Sequence, residues 1–138
     1  AFWQGFNAAE RAPFITAPAA HWGGWYDIFL SGTIKGFQSR QHRGGPGARG
    51  NQKLIIGPWT HWSSPAEGVR RYARNSGFDI RGYEARWFAY WLRGADNGIM
   101  DEPAVRYYVM GDLVSPRAPG NEWRAAEDWP PFPSVDGV

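Results

Sequence analysis

The chain of 138 residues contains no cysteine, and lysine is nearly absent, since only Lys35 and Lys53 occur. Without cysteine there can be no disulfide bond, no thiolate zinc site and no cysteine nucleophile in any compartment, so the localisation stays unassigned. No apolar run approaches the roughly 18 to 20 residues of a membrane-spanning helix, and no basic segment leads into an apolar one as in a signal peptide. The sequence therefore predicts no membrane partner.

The basic residues are almost all arginine, and the formal net charge is only +2. Because guanidinium groups favour bidentate pairs of fixed geometry, we expect many of these arginines in ion pairs rather than on a diffuse cationic surface. Residues 70–74, Arg-Arg-Tyr-Ala-Arg, form the one basic stretch with an aromatic residue, and such charge runs are usually solvated helix faces. No nucleic-acid partner is predicted.

Aromatic side chains are abundant, at 17% of the residues, and nine of them are tryptophans. A hydrophobic share of 43% and a charged share of 20% are ordinary for a folded domain and exclude disorder, collagen and coiled coil. Large aromatic residues concentrate in cores, ligand pockets and interfaces. The composition therefore indicates a folded domain that shapes an apolar core or pocket.

Short apolar runs followed by turn residues predict two buried strands, at residues 13–22 and 53–57. The first run ends at two glycines, and apolar positions at helical spacing predict a helix over residues 28–41. Residues 43–50 are rich in glycine and arginine, which is typical of a solvent-exposed loop. The order of these segments is strand, helix, loop, strand.

The second half of the chain contains the clearest helical pattern, over residues 76–93, with Ser76 or Asp79 as candidate cap and Gly94 at the end. Trp87 and Trp91 lie one turn apart on its apolar face, where we expect them in the core. After Pro103 the side chains alternate with a period of two residues, which predicts a strand up to Gly111 that is covered on one face only. The proline-rich tail that follows predicts no further strand.

Alternation of strands and helices predicts the α/β class, a parallel sheet with flanking helices. Functional groups in such folds gather beyond the carboxyl ends of the parallel strands. Two strands do not complete a parallel sheet, so we expect part of the domain to lie outside these 138 residues.

Asp27 follows the first predicted strand and His61 follows the second, with the acid first in the chain. In α/β-hydrolases the triad runs serine, acid, histidine, and the last two lie on loops after late strands. An aspartate after two glycines is equally suited to capping the next helix. Spacing alone leaves both interpretations open.

Aromatic residues flank this pair, and Trp25, Phe29 and Trp62 are candidates for substrate binding, with packing at the sheet edge as the alternative. Of the other histidines, His21 is predicted in the core and His42 in a solvated loop. Three scattered histidines without carboxylates at ligand spacing predict no metal site, and no cofactor is predicted.

Four segments carry a family resemblance: Gly-Gly-Trp-Tyr-Asp-Ile-Phe (23–29), Leu-Ile-Ile-Gly-Pro-Trp-Thr-His (54–61), Arg-Trp-Phe-Ala-Tyr-Trp-Leu-Arg-Gly (86–94) and Val-Arg-Tyr-Tyr-Val-Met-Gly (105–111). Together they closely resemble the CocE/NonD family of hydrolases, which includes esterases, acylases and X-Pro dipeptidyl-peptidases. The resemblance implies a serine hydrolase in which Asp27 is the triad acid and His61 the base. Its substrates would be small esters or amides, or short peptides.

The same resemblance implies the C-terminal part of an α/β-hydrolase fold that leads into a β jelly-roll domain. Residues 1–12 would end a helical cap, residues 13–102 would form the C-terminal half of the hydrolase domain, and residues 103–138 would hold the last strand region and a linker. The resemblance leaves the oligomeric state open.

The sequence departs from the family in one respect that matters for chemistry. None of its seven serines has a glycine two residues before it, as the nucleophile elbow of the family requires. We therefore expect an internal piece of a longer enzyme that is inactive by itself.

The alternative function is a non-catalytic, aromatic-rich module that binds carbohydrate or peptide. The two functions differ in one distance, because only a hydrolase requires the Asp27 carboxylate within about 2.6 to 3.2 Å of a His61 ring nitrogen.

Overall fold

The computed structural model describes residues 3–61, 74–114 and 119–132. The described residues form a mixed sheet with flanking helices, so the predicted α/β class is confirmed. In chain order the strands and α-helices are β1 (Ala19–Gly24), α1 (Leu30–Arg43), β2 (Gln52–Gly57), α2 (Ile80–Arg93), β3 (Val105–Val109) and β4 (Glu122–Ala126). Neither helix is long and apolar enough to cross a membrane.

The sheet has the strand order β1-β2-β3-β4. The first three strands run parallel, with Gly24 opposite Gly57 and Leu54 opposite Val105. β4 pairs antiparallel with β3. The carboxyl ends of β1, β2 and β3 therefore lie at one edge, where a parallel sheet presents its loops.

The two helices accompany two separate apolar clusters of side chains. Leu54 and Ile56 of β2 pack with Phe37 of α1, and Ile55 belongs to the cluster that contains Tyr83 and Trp87 of α2. Because successive residues of a strand point to opposite faces, the two clusters cover the two faces of β2. This double covering explains why all six residues of β2 are buried and why its sequence shows no polar alternation.

Capping residues determine where α2 begins and ends. The N–H of Gly82 donates to Asp79 Oδ1 at 3.0 Å, so Asp79 is the cap and Ser76 lies in the preceding 3-10 turn. Gly94 ends the helix at φ +66, a conformation that glycine adopts without steric cost. Trp87 is buried as predicted, but Trp91 is only half-buried.

The first predicted strand is too long at its start. Residues 12–14 form a 3-10 turn with a proline in its first positions, and the strand begins at Ala19. It continues through Gly23 and Gly24, because both glycines stay in register with the end of β2.

The loop over residues 44–50 is only partly exposed. Gly44, Gly45 and Ala48 are buried, and the Gly45 N–H donates to the Ile15 carbonyl at 2.9 Å. His42 lies in the last turn of α1 rather than in this loop. Its side chain is half exposed, as expected, and its Nε2 atom lies 3.0 Å from Asp128 Oδ2.

The tail contains a strand, β4, although its proline-rich sequence predicted none. β4 pairs with β3 along its whole length, and Trp123 of β4 packs edge-on against Tyr108 at 5.4 Å between ring centroids. Tyr108 is therefore fully buried, although the alternation in β3 predicted a solvated face for it.

Several arginines lie in ion pairs, as their abundance predicted. Glu102 binds Arg86 at 2.6 Å and Arg106 at 3.1 Å through its two carboxylate oxygens. The neighbouring Lys53 is buried, and its ammonium donates to the backbone carbonyls of Met100 and Glu102. The basic stretch at residues 70–73 lies outside the described residues.

Candidate active site

Backbone hydrogen bonds continue from β1 and β2 into the loops that follow them. The Trp25 N–H donates to the Gly57 carbonyl at 2.9 Å, and the Tyr26 N–H donates to the Trp59 carbonyl at 3.2 Å. The two loops therefore stay paired beyond the sheet. This pairing brings together the segments that carry Asp27 and His61.

Two glycines allow the loops to approach closely. A Cβ atom at Gly24 would overlap the Trp59 carbonyl oxygen, and a Cβ atom at Gly57 would overlap the Trp59 ring. Trp59 is itself buried in the α2-side cluster. The absence of side chains at 24 and 57 thus lets the chain fold over the sheet edge toward Asp27.

Gly24→Ala is expected to lower the free energy of unfolding by about 1 to 3 kcal/mol, because the new methyl group overpacks the junction between the loops. Gly32→Ala is the matched control, since a Cβ atom there meets nothing within 4 Å and Gly32 lies in α1. Removing a helical glycine should stabilise the protein by up to about 1 kcal/mol. Chemical denaturation of both variants measures the difference, and equal midpoints would contradict the close approach at Gly24.

Asp27 and His61 are in direct contact. The His61 Nδ1 atom lies 3.2 Å from Asp27 Oδ2, within the distance that the hydrolase interpretation requires. The Asp27 side chain is 6% exposed and the His61 side chain is 49% exposed. The pair thus consists of a buried carboxylate and an imidazole that solvent or a substrate reaches.

The second carboxylate oxygen of Asp27 is also bonded. Its Oδ1 accepts the Phe29 N–H at 2.8 Å, just before α1 begins at Leu30. One carboxylate therefore orders the approach to α1 and contacts His61 at the same time. Asp27 can therefore stabilise the backbone just before α1 and also act as the partner of His61.

Phe29 and Trp25, two of the predicted substrate-binding residues, lie in different surroundings. The Phe29 ring lies 4.9 Å from the His61 ring, at an interplanar angle of 70°. Trp25 instead donates its indole N–H to the Tyr108 carbonyl at 2.6 Å and packs near Trp129. Trp62 lies outside the described residues.

Two cavities adjoin this region. One, of about 500 Å³, is lined by Phe29, Trp22 and His21 and by the face of α1 at Thr33. The other, of about 470 Å³, lies beside Trp25 and is lined mainly by apolar residues of β3 and the tail: Tyr107, Tyr108, Val109, Met110, Trp129, Pro131 and Phe132, with Arg124. Phe29 therefore belongs to the surroundings of His61, whereas Trp25 belongs to a separate apolar cavity.

His21 of β1 is partly buried and hydrogen-bonded within the sheet. Its Nε2 atom lies 3.0 Å from Gln52 Oε1, and burial lowers the pKa of His21. The described residues contain no group of three or more His, Asp or Glu side chains that would hold a metal ion.

The chain is similar to several known hydrolases. The sequence model of the X-Pro dipeptidyl-peptidase (S15 family) matches residues 1–63, a segment that contains both Asp27 and His61. Cocaine esterase of Rhodococcus sp. (strain MB1 Bresler) is 26% identical over 132 residues, which are 93% of this chain and 21% of the esterase. A candidate serine esterase of Mycobacterium bovis is 30% identical over 135 residues, 94% of this chain and 18% of that protein.

These matches support the resemblance of this chain to the CocE/NonD hydrolases. A crystal structure of a CocE/NonD hydrolase from Staphylococcus aureus superimposes with a TM-score of 0.58 at 21% identity, over 89% of this chain and 18% of that one. That likeness concerns the fold. The chain spans only about a fifth of the length of these relatives.

Gly24, Gly57 and Trp59 set the distance between the two loops, a role that the sequence alone did not predict. A signal was present, because Gly24 and Gly57 each end a strand and lie just before Asp27 or His61. Only their close contact with Trp59, which follows from the fold, gives the two glycines a role in the site.

Proposed function

We propose that this chain supplies the acid and the base of a serine hydrolase that cleaves small esters or amides, including short peptides, through an acyl-enzyme. The observation that carries the proposal is the 3.2 Å contact between the buried Asp27 carboxylate and the half-exposed His61 ring, at the carboxyl ends of the parallel strands β1 and β2. The hydrolase names of its relatives support the same reaction class.

In the proposed reaction the neutral His61 imidazole carries its proton on Nδ1 and donates it to Asp27 Oδ2. Its Nε2 atom then takes the proton of the attacking serine hydroxyl and later gives it to the leaving group. The Asp27 carboxylate stabilises the imidazolium that forms in between. The Phe29 amide supports this role, because it fixes the other carboxylate oxygen.

The nucleophile and the oxyanion-hole donors would come from a part of a longer polypeptide, since no serine of this chain follows a glycine at the elbow spacing. In that polypeptide we propose that residues 1–12 end a helical cap and residues 13–102 form the C-terminal half of the hydrolase domain. Residues 103–138, which include β3 and β4, would lead toward a jelly-roll domain. The relatives are about five times as long as this chain, which supports a longer polypeptide around it.

A serine-directed fluorophosphonate tests the proposal by mass spectrometry. We expect the reagent to label one serine outside these 138 residues in the full-length enzyme, and this labelling should disappear in His61→Ala. The 138-residue chain alone should gain no mass. Stoichiometric labelling of any of its seven serines would contradict the proposal and place the nucleophile within this chain.

The alternative of a carbohydrate- or peptide-binding module has less support from the aromatic residues. Such a module presents tryptophans on an open platform, whereas the tryptophans with described side chains are buried or half-buried: Trp22, Trp25, Trp59, Trp87, Trp91, Trp123 and Trp129. Nor does a binding module require a contact between Asp27 and His61.

A further inference from the structure

We propose that Trp25 is a positioning residue, whose indole fastens the turn before Asp27 to strand β3. The inference rests on the proposed triad and goes beyond it, because it makes β3 a support of the triad acid. It also assigns Trp25 to the acid rather than to the substrate.

The register between β2 and β3 leaves one backbone acceptor without its usual donor. Leu54 lies opposite Val105, and the Leu54 N–H donates to the Ala104 carbonyl at 2.8 Å. Because parallel strands repeat this bond at every second residue, the Tyr108 carbonyl falls opposite residue 58. Residue 58 is a proline, which has no N–H to donate. The Tyr108 carbonyl therefore needs a donor from another part of the chain.

The indole of Trp25 supplies this donor. Its Nε1–H donates to the Tyr108 carbonyl at 2.6 Å. Pro58 and Tyr108 are both buried, and a buried carbonyl without a partner is costly. The loop after β1 is thus bonded directly to β3, although β2 lies between these two strands in the sheet.

The same tryptophan forms the corner of the turn that presents Asp27. The Asp27 N–H donates to the Gly24 carbonyl at 2.9 Å, so residues 24–27 form a tight turn that begins at the last residue of β1. Trp25 is the first residue inside this turn, and its backbone N–H donates to the Gly57 carbonyl at 2.9 Å. Trp25 is therefore tied to the end of β2 through its backbone and to β3 through its side chain. These two bonds fix the corner from which Asp27 extends.

The indole bond has two consequences that substitutions can separate. It gives the buried Tyr108 carbonyl a partner, which stabilises the fold wherever the donor comes from. It also joins the turn at residues 24–27 to β3, and only a donor within that turn does this. Ring packing is a third contribution, since the Trp25 and Trp129 rings lie 6.1 Å apart between centroids.

The test compares Trp25→Phe with the double variant Trp25→Phe/Pro58→Ala in the full-length enzyme, assayed on 4-nitrophenyl acetate and butyrate. Phenylalanine keeps a ring but removes the indole donor, and alanine at residue 58 returns a backbone N–H to the Tyr108 carbonyl. We expect Trp25→Phe to lower kcat by about tenfold to a hundredfold, the size of effect that a small misplacement of a catalytic group produces. KM should change less than about threefold for both esters. In the double variant the denaturation midpoint should rise toward wild type, whereas kcat should stay low.

Trp123→Phe is the matched control, because the Trp123 indole also donates to a backbone carbonyl, that of Asn75 at 3.1 Å. Trp123 belongs to β4, at the opposite edge of the sheet from β1. The control should lower the midpoint but keep kcat within about threefold. Recovery of kcat together with the midpoint in Trp25→Phe/Pro58→Ala would overturn the positioning role, because Trp25 would then serve only the Tyr108 carbonyl. A midpoint that Pro58→Ala does not raise would contradict the register on which the inference depends.

A double-mutant cycle with Asp27→Asn measures whether Trp25 acts through the acid. When residue 27 is asparagine, Trp25→Phe should cost less than about threefold in kcat, because residues that act as a unit are not additive. An undiminished loss in that background, or a loss that appears in KM while kcat is kept, would overturn the positioning role. If Asp27→Asn itself keeps activity, the proposed function is wrong. If Asp27→Asn abolishes activity while Trp25→Phe keeps kcat, the triad stands and only the role of Trp25 is wrong.

Discussion

Asp27→Asn in the full-length enzyme is expected to lower kcat by about 10⁴, the loss seen when the triad aspartate of a serine protease becomes asparagine. An amide at residue 27 keeps the shape of the carboxylate but favours the wrong histidine tautomer and carries no charge to stabilise the imidazolium. The side chain is 6% exposed, so water does not replace the lost interaction. Steady-state kinetics measures kcat, and His61→Ala should be at least as damaging.

The chain provides a matched control for this substitution in a second aspartate–histidine contact. Asp128 lies 3.0 Å from the His42 Nε2 atom, but both side chains are about half exposed and sit at the end of α1 rather than at the carboxyl edge of the sheet. Asp128→Asn should leave kcat within about twofold, because this exposed contact lies at the opposite end of α1 from Asp27. A kcat within tenfold of wild type for Asp27→Asn would remove Asp27 from the triad.

Trp87→Ala is expected to lower the free energy of unfolding by about 3 to 5 kcal/mol, because a buried indole leaves a large cavity. Trp87 packs in the cluster that joins α2 to Ile55 of β2. It also contacts Trp91, with 5.9 Å between ring centroids. Urea denaturation monitored by circular dichroism measures the change.

The neighbouring Phe88 is the control for Trp87, because it lies on the same helix but is exposed. Phe88→Ala should change the free energy of unfolding by no more than about 0.5 kcal/mol. Trp91→Ala should lie between the two, since Trp91 is only half-buried. Equal midpoints for Trp87→Ala and Phe88→Ala would show that the buried face of α2 is assigned wrongly.

Local pattern was sufficient to predict most of the elements. The uninterrupted apolar run before Gly57 predicted a buried strand, and β2 is buried at all six positions. Spacing of aromatic residues predicted α2, with Asp79 among its two candidate caps. These features depend on neighbours within a few residues, so sequence carries them directly.

Local sequence patterns did not predict the features that depend on contacts between distant residues. The strand β4 was missed, because the tail shows only turn residues and its pairing partner β3 supplies the stabilisation. Burial of Tyr108 was mispredicted for the same reason, since Trp123 of β4 covers it. Strand propensity depends strongly on such partners.

By itself the sequence determined the α/β class and the positions of Asp27 and His61 after two strands. It also determined the family resemblance of the two segments that contain these residues. The tertiary structure alone decided that these two side chains meet at 3.2 Å, that Phe29 contacts the histidine and that Trp25 turns to another cavity. The reason is physical. Residues 34 positions apart meet only when parallel pairing of β1 and β2 continues into their loops, and that continuation depends on the room that Gly24 and Gly57 leave for Trp59.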